Sequence, residues 1–308
     1  MHKLSRALDM AHVQIAVRVW LYLFVIIGSV FSELVRSDAL SESSTQGSHG
    51  SKKALPEEVV FAQSGDGDYH LKIASKAVGK LLVPKIQPVS RPMSQWAGTL
   101  GLSALINGGY FHGDKPVSLV VINGERQADN IAAVTRHARS FPVLRSAFWV
   151  NSDGRVSIDW VGVDRDNRLL AFAEPLHYRR DQLEPLIPPA NGSGSQIDPL
   201  WAVGGGPRLL QDGMSFITYD EEVFWGSGVK LDDVRPRTAI CITESADVLL
   251  YVTRGARLDS LPRKLRALGC RDAMNLDGGG SSAMYVEGRA ILDQQRAVPV
   301  VLAIRAAD

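Results

Sequence analysis

Apolar residues along this chain come mostly in short or alternating runs that stop at Gly, Asn or Asp. From Val59 onward these runs are VVFAQ, YHLKIASKAV, LSALING, VSLVVING, SAFWVNSDGRVSIDWVGV, RTAICIT, DVLLYVTR, AMNLDGG and SAMYVEGRAIL. Runs of this length and period predict strands, because successive side chains on a strand point to opposite faces. NSDG, between AFWV and RVSIDWVGV, predicts a hairpin turn, since Asp-Gly accommodates the positive φ such turns need. Helical signals are fewer. SQWAGTLG predicts a short helix ahead of the Leu105 strand. LDSLPRKLRALGC predicts one from about Ser260 to Leu268, with Pro262 in its first turn and Gly269 as its stop. Residues 184–199 read as a long exposed loop. The expected fold class is α+β, a single mixed, strand-rich domain with a few helices spanning residues 59–308.

Upstream the pattern changes twice. Lys3, Arg6 and Arg18 precede an uncharged run from Val19 to Ser32, short of the roughly 20 residues a comfortable membrane span needs. A basic start followed by such a run reads as a signal peptide, with Val30 and Ser32 small enough for cleavage after Ser32. The rival is an uncleaved anchor, a hydrophobic helix that Ile15 to Val17 extend if Arg18 snorkels. Residues 1–35 are therefore expected to direct export, to the periplasm or outside, with the membrane as partner if the segment is retained. Residues 36–58 are polar and rich in Ser, and bury too little apolar surface to offset chain entropy; they predict a flexible linker.

Composition narrows the picture further. The formal net charge is +1, and Lys and Arg form no stripe, so a nucleic-acid partner is not expected. Cys241 and Cys270 are too few for a disulfide framework and match no zinc spacing. They read as two small buried hydrophobes, or as a pair if their Cα atoms lie about 4.4–6.8 Å apart.

The 28 glycines cluster in a few places at strand ends. Asn107-Gly108-Gly109-Tyr110-Phe111 follows the ALI strand, where bare backbone allows close approach of a ligand, or simply a tight turn closed by Asn. Gly204-Gly205-Gly206-Pro207-Arg208 follows WAV, and three exposed amides can make an anion-binding nest; no Gly-Lys-Ser/Thr follows, so it is not a nucleotide loop. Arg235-Pro236-Arg237-Thr238 opens the AICIT strand. Arg237 there is a planar partner for phosphate or carboxylate, or a member of an ordinary surface ion pair, and Thr238 adds a hydroxyl. Asn275-Leu276-Asp277-Gly278-Gly279-Gly280-Ser281-Ser282 carries the most chemistry: a carboxylate, three glycines and two hydroxyls. One carboxylate is too few for a calcium loop, and Gly-x-Ser-x-Gly is absent, which argues against a serine-hydrolase elbow.

These four motifs in this order (NGGYF, GGGPRLL, RPRTAI and LGCRDAMNLDGGGSSAM) resemble the phosphodiester glycosidase family, to which the lysosomal uncovering enzyme of animals belongs. The resemblance runs from about Val59 to Ala306. It departs at Cys241, where many relatives have glycine, and the growth-factor-like and membrane segments of the animal enzyme are missing. It implies an α+β domain with these loops gathered round one pocket, and a substrate in which a sugar is joined to phosphate. The site residues it implies are Asp277, Arg237 and Asn107 for catalysis, with Gly108, Gly109, Tyr110, Gly205, Gly206, Thr238, Gly278, Gly279, Gly280, Ser281 and Ser282 around the substrate. Arg237 and the glycine amides would hold phosphate, and Asp277 would serve as base, nucleophile or sugar anchor. Glu174 and Glu244 are candidates for a second carboxylate. Tyr110, Trp201 and Trp225 are candidates for stacking on a sugar, or for the core. No cofactor is expected, although a divalent cation is compatible with the loop. The rival functions are P–O cleavage by a phosphodiesterase, and a non-catalytic surface domain binding phosphorylated polysaccharide.

Overall fold

The alternation seen in the sequence divides single strands between two cores. In Val248–Ala256, residues Val248, Leu250 and Val252 enter one apolar cluster, while Leu249 and Tyr251 enter another. Arg235–Thr243 splits the same way, with Ile240 and Ile242 on one side and Ala239 and Cys241 on the other. This is the period of two expressed as packing: each strand is apolar on both faces because both faces are covered. These features come from a computed structural model that describes residues 54–100, 102–181, 184–189 and 193–306. The hydrophobic segment expected at residues 1–35, and all but the end of the linker expected at 36–58, lie outside them.

Three antiparallel sheets build the domain. The first has seven strands in the order Val59–Gly65, Asp68–Ile73, Val248–Ala256, Arg235–Thr243, Cys270–Asn275, Arg208–Gln211, Met214–Ser215. The second, also of seven, runs Ser195–Gln196, Leu169–Phe172, Val156–Val163, Arg145–Val150, Trp201–Gly204, Val120–Ile122, Glu125–Ala128. The third runs Arg289–Leu292, Met284–Val286, Ala104–Asn107, Val298–Ile304, Leu82–Arg91. The main core draws on all three, through Leu71, Ile240 and Leu250 from the first, Phe148, Ile158 and Val203 from the second, and Ile106, Leu302 and Ile304 from the third. Each such side chain contributes about 1.5–3 kcal/mol when withdrawn from water.

Two helices cover outer sheet faces. Leu261–Ala267, near the position expected, has Pro near its start and is followed by Gly269 at φ +84°; Leu261 and Leu265 pack beneath Tyr251 and Cys270. Met93–Leu100 covers the third sheet with Met93 and Trp96 against Val301 and Ala303, and the Trp96 indole donates to Val298 O at 3.2 Å. The NSDG hairpin forms as expected between Arg145–Val150 and Val156–Val163, with Gly154 at φ +78°. One strand expectation is overturned. YHLKIASKAV ends as a strand at Ile73, and Ser75–Leu81 turns helical, because Ala77, Val78 and Leu81 reach the main core together only on a helical face.

Cys241 and Cys270 are both buried and also joined by a disulfide, Cα to Cα 5.8 Å, linking neighbouring strands of the first sheet. The described residues form one compact unit. No helix among them is long and apolar enough to cross a membrane.

Candidate active site

The four glycine motifs, dispersed along the chain, converge because the strands that carry them end side by side. Asp277 N donates to Gly108 O at 3.2 Å, Gly206 N to Asn275 O at 2.8 Å, and Leu276 N to Thr238 O at 2.8 Å. Above this junction lies a cavity of about 690 Å³, lined by Tyr110, Gly205, Asn275, Asp277, Gly278, Gly279 and Gly280, and by five arginines, Arg136, Arg145, Arg235, Arg237 and Arg296. Asp277 is the only carboxylate in that lining.

Asp277 is 7% exposed. Its Oδ2 pairs with Arg296 Nη2 at 2.7 Å, and its Oδ1 accepts the Gly278 amide at 3.0 Å. Arg296 also reaches Ser281 Oγ from Nε and Nη2, at 3.0 and 2.6 Å, and lies over the Phe111 ring. Burial raises the carboxyl above its ordinary range, outweighing the Ser281, Gly278 and Arg296 contacts that lower it. The backbone then turns through Gly279 at φ +61°, a conformation a side chain would strain. The amides of Gly279 and Gly280 make no hydrogen bond among the described residues, while Gly280 O accepts from the amides of Gln295 and Arg296, both at 2.8 Å.

Arg237 is where its position at a strand start implies, but its guanidinium is largely engaged. Nη2 pairs with Asp233 Oδ1 at 2.6 Å and donates to the carbonyls of Lys230 and Asp233, and Nε donates to Ala256 O. Burial, then the neighbouring Arg235, push it down to about 10, so it stays charged at neutral pH. Arg235 shares the same Asp233.

Other expected residues divide between the lining and its support. Tyr110 lines the cavity and donates from its hydroxyl to Gly206 O at 2.7 Å; burial and then Asp277 hold the phenol above its ordinary range. Asn107, Thr238 and Ser282 do not line the cavity; they form a buried network beneath it. Asn107 Oδ1 accepts from Thr238 Oγ1 at 2.8 Å and from Ala283 N, its Nδ2 donates to Asp277 O at 2.7 Å, and Ser282 Oγ lies 3.0 Å from Thr238 Oγ1, within hydrogen-bonding reach. Asn107 therefore positions the backbone of Asp277. Gly108 and Gly109 lie behind the lining, and Gly206 meets it only through the Tyr110 hydroxyl. Ser281 acts through Arg296. The expected nest at Gly204–Gly206 is not formed: those amides donate to Leu119 O, Ser146 O and Asn275 O, so they join strands and leave nothing for an anion. Trp201 lies in the main core and Trp225 packs on Phe141. Glu174 pairs with His177 and Glu244 is exposed, and neither lines the cavity.

Three side chains escaped the sequence reading. Arg296 is the direct partner of Asp277. Arg145 lines the cavity at 6% exposure, its guanidinium carbon 3.9 Å from the centre of the Phe224 ring, and its Nε and Nη1 have no hydrogen-bond partner among the described residues. Glu222, fully buried, accepts from Ser146 N, Ser146 Oγ, Trp160 Nε1, Arg208 N and Thr218 Oγ1. Arg145 and Arg296 carried the same local signal as Arg237, an arginine at or just before an apolar strand. Glu222 carried none. No group of three or more His, Cys, Asp or Glu among the described residues is placed to hold a metal ion.

A family model described as phosphodiester glycosidase matches residues 101–305. The chain belongs to the phosphodiester glycosidase family. Every one of the four motifs lies inside the matched span, as does each arginine of the cavity. Among solved structures, the catalytic domain of zebrafish N-acetylglucosamine-1-phosphodiester alpha-N-acetylglucosaminidase, auto-inhibited by its pro-peptide, shares the fold. Its TM-score is 0.54 at 16% identity, covering 81% of this chain and 82% of that one. A hypothetical protein from Synechocystis superposes with a TM-score of 0.51 at 16% identity, over 81% of this chain and 61% of its own. An exported-protein candidate from Burkholderia pseudomallei does so with 0.52 at 15% identity, over 77% and 73%. At these identities the likeness is one of fold. No curated protein sequence matches the chain.

Proposed function

We propose that this phosphodiester glycosidase family member is a hydrolase that releases a sugar from a sugar-1-phosphodiester. The observation that carries the reading is a single buried carboxylate, Asp277, facing a cavity lined by five arginines. That charge balance suits a phosphodiester, and the burial of Asp277 and Arg145 strengthens the charge contacts each makes.

A conventional glycosidase uses two carboxylates, about 5–9.5 Å apart. Among the described residues, Asp277 is the one carboxylate that lines this cavity, so a covalent sugar–Asp277 intermediate would lack a carboxylate base for its second step. The arrangement favours one displacement. Water attacks the anomeric carbon and gives its proton to Asp277, whose burial-raised carboxyl suits a base. The bond from that carbon to the bridging oxygen breaks, and the electron pair leaves with the phosphate monoester. Cationic neighbours stabilise the departing charge, so the leaving group needs no strong acid. The amides of Gly279 and Gly280, without an acceptor among the described residues, would donate to oxygens of the same substrate. A one-step displacement predicts inversion at the anomeric carbon.

The substrate would be a phosphate-linked glycan or glycoconjugate met outside the cytoplasm. The Cys241–Cys270 disulfide supports an oxidising compartment, as does the basic-then-apolar start of the chain. The test is a panel of sugar-1-phosphodiesters hydrolysed in ¹⁸O-water. Label in the sugar with inverted configuration is expected. Label in the phosphate would assign P–O cleavage, and binding across the panel with no turnover would make this a recognition domain.

A further inference from the structure

Of the five arginines in the cavity, four are spoken for. Arg296 holds Asp277 and Ser281. Arg136 donates to the carbonyls of Trp225, Thr135 and Val223. Arg235 and Arg237 share Asp233. Arg145 has no ion pair among the described residues, and its buried Nε and Nη1 have no acceptor there. It leaves the start of the Arg145–Val150 strand, whose register is fixed by pairing with Val156–Val163, and its guanidinium lies over the Phe224 ring.

A guanidinium withdrawn from water without a counter-charge is costly, and such groups are normally paired. The nearby Glu222 makes no ion pair with Arg145: donors from Ser146, Trp160, Arg208 and Thr218 converge on its Oε1, and Ser146 N donates to its Oε2. Its field helps Arg145 keep its charge: burial lowers the guanidinium to about 10, still protonated at neutral pH. The result is a fixed, buried cation with donors in reserve, beside the cavity that holds Asp277.

We propose that Arg145 is the phosphate-binding residue of this site, its guanidinium given a counter-charge by the non-bridging oxygens of the substrate. The assignment deepens the sugar-1-phosphodiester reading and moves the anion subsite from Arg237, the arginine the sequence suggested, to Arg145. Arg237 becomes a positioning residue: it anchors the Lys230 to Asp233 segment against the strand that abuts the Asp277 loop.

The experiment has two arms, each using the whole protein. Crystals of the wild type soaked in inorganic phosphate should place a phosphate oxygen about 3 Å from a guanidinium nitrogen of Arg145. Phosphate bound only at Arg237, or at no residue of the cavity, overturns the assignment, and this arm needs no variant to fold. In the second arm, Arg145→Lys and Arg145→Gln, checked by circular dichroism, are titrated with phosphate by calorimetry. Affinity should fall about 10- to 100-fold, the scale of losing hydrogen bonds to a charged group; unchanged affinity in either folded variant overturns it. Failure of the parent reading looks different. Phosphate held by Arg145 with no sugar-1-phosphodiester turned over leaves the subsite standing and removes the hydrolase. Turnover with phosphate affinity indifferent to Arg145 does the reverse.

Discussion

Gly204, Gly205 and Gly206 give their amides to Leu119 O, Ser146 O and Asn275 O, whereas Gly279 and Gly280, which line the cavity, have amides with no acceptor among the described residues. The two runs of three glycines read alike in sequence. In the first, the glycines let chain segments press together: a Cβ on Gly204 would lie 2.2 Å from Asn130 Oδ1 and 2.5 Å from Leu119 N. In the second, Gly279 takes φ +61° with no side-chain or backbone atom closer than 3.8 Å to an added Cβ. One run serves close approach and the other serves conformation and exposed donors. What separates them is where their hydrogen bonds go.

The largest effect that would sharpen this contrast is at the head of the second run. Asp277→Asn should lower turnover of a sugar-1-phosphodiester about 10²- to 10⁴-fold, the range of a lost general base, while circular dichroism is unchanged. Next comes the frame from which both runs hang, since Cys270–Asn275 leads into one and pairs with the strand after the other. Cys241→Ser should cost about 3–4 kcal/mol in denaturant unfolding, from the entropy of freeing a loop whose ends are 29 residues apart, with kcat per folded molecule kept. Gly204→Ala should cost about 1–3 kcal/mol of stability through the clash. Gly279→Ala, by contrast, should cost about 1–2 kcal/mol of local strain and chiefly slow the reaction. A Gly204→Ala protein that melts normally but turns over slowly would break the comparison.

The smallest effect is in the pH dependence. Because burial raises the Asp277 carboxyl in the folded state, ionising it there costs more than in the unfolded chain. That penalty is absent below the unfolded value of about 3.9 and fully felt above the raised folded value. Asp277→Asn should therefore raise stability near pH 7, less whatever Arg296 loses, and give no gain below pH 4, as read from melting curves across that range. The same shift should place the acid limb of the wild-type pH–rate profile above the ordinary aspartate range.

How much of this was legible beforehand depended on the range of the interactions involved. Strands such as Arg235–Thr243, the helix after Ser260 and the hairpin at Asn151 follow from local period and turn chemistry, and the sequence sufficed for them. The helical turn at Ser75–Leu81 was not, because burial of Ala77, Val78 and Leu81 against distant strands decided it. In the site, the Asp277 loop announced itself by composition. Its partner Arg296 did not, and neither did the buried role of Asn107, because both rest on contacts across the fold. Arg145 opens its strand, and Arg237 stands two residues into Arg235–Thr243. Asp233, with the Lys230 and Ala256 carbonyls, tells the engaged guanidinium from the one whose Nε and Nη1 have no acceptor among the described residues.

Strand partners in this domain are mostly far apart along the chain. Asp68–Ile73 hydrogen-bonds to Val248–Ala256, and Leu82–Arg91 to Val298–Ile304. Loop-closure entropy must be met before such pairings return any energy, so the domain belongs among slow folders, in milliseconds to seconds or longer. The cavity is the last thing such a route completes, since its walls come from segments as far apart along the chain as Tyr110, Arg145, Arg237 and Arg296. Enzymatic activity in a refolding experiment should thus recover with the final phase, with no earlier species carrying a fraction of it.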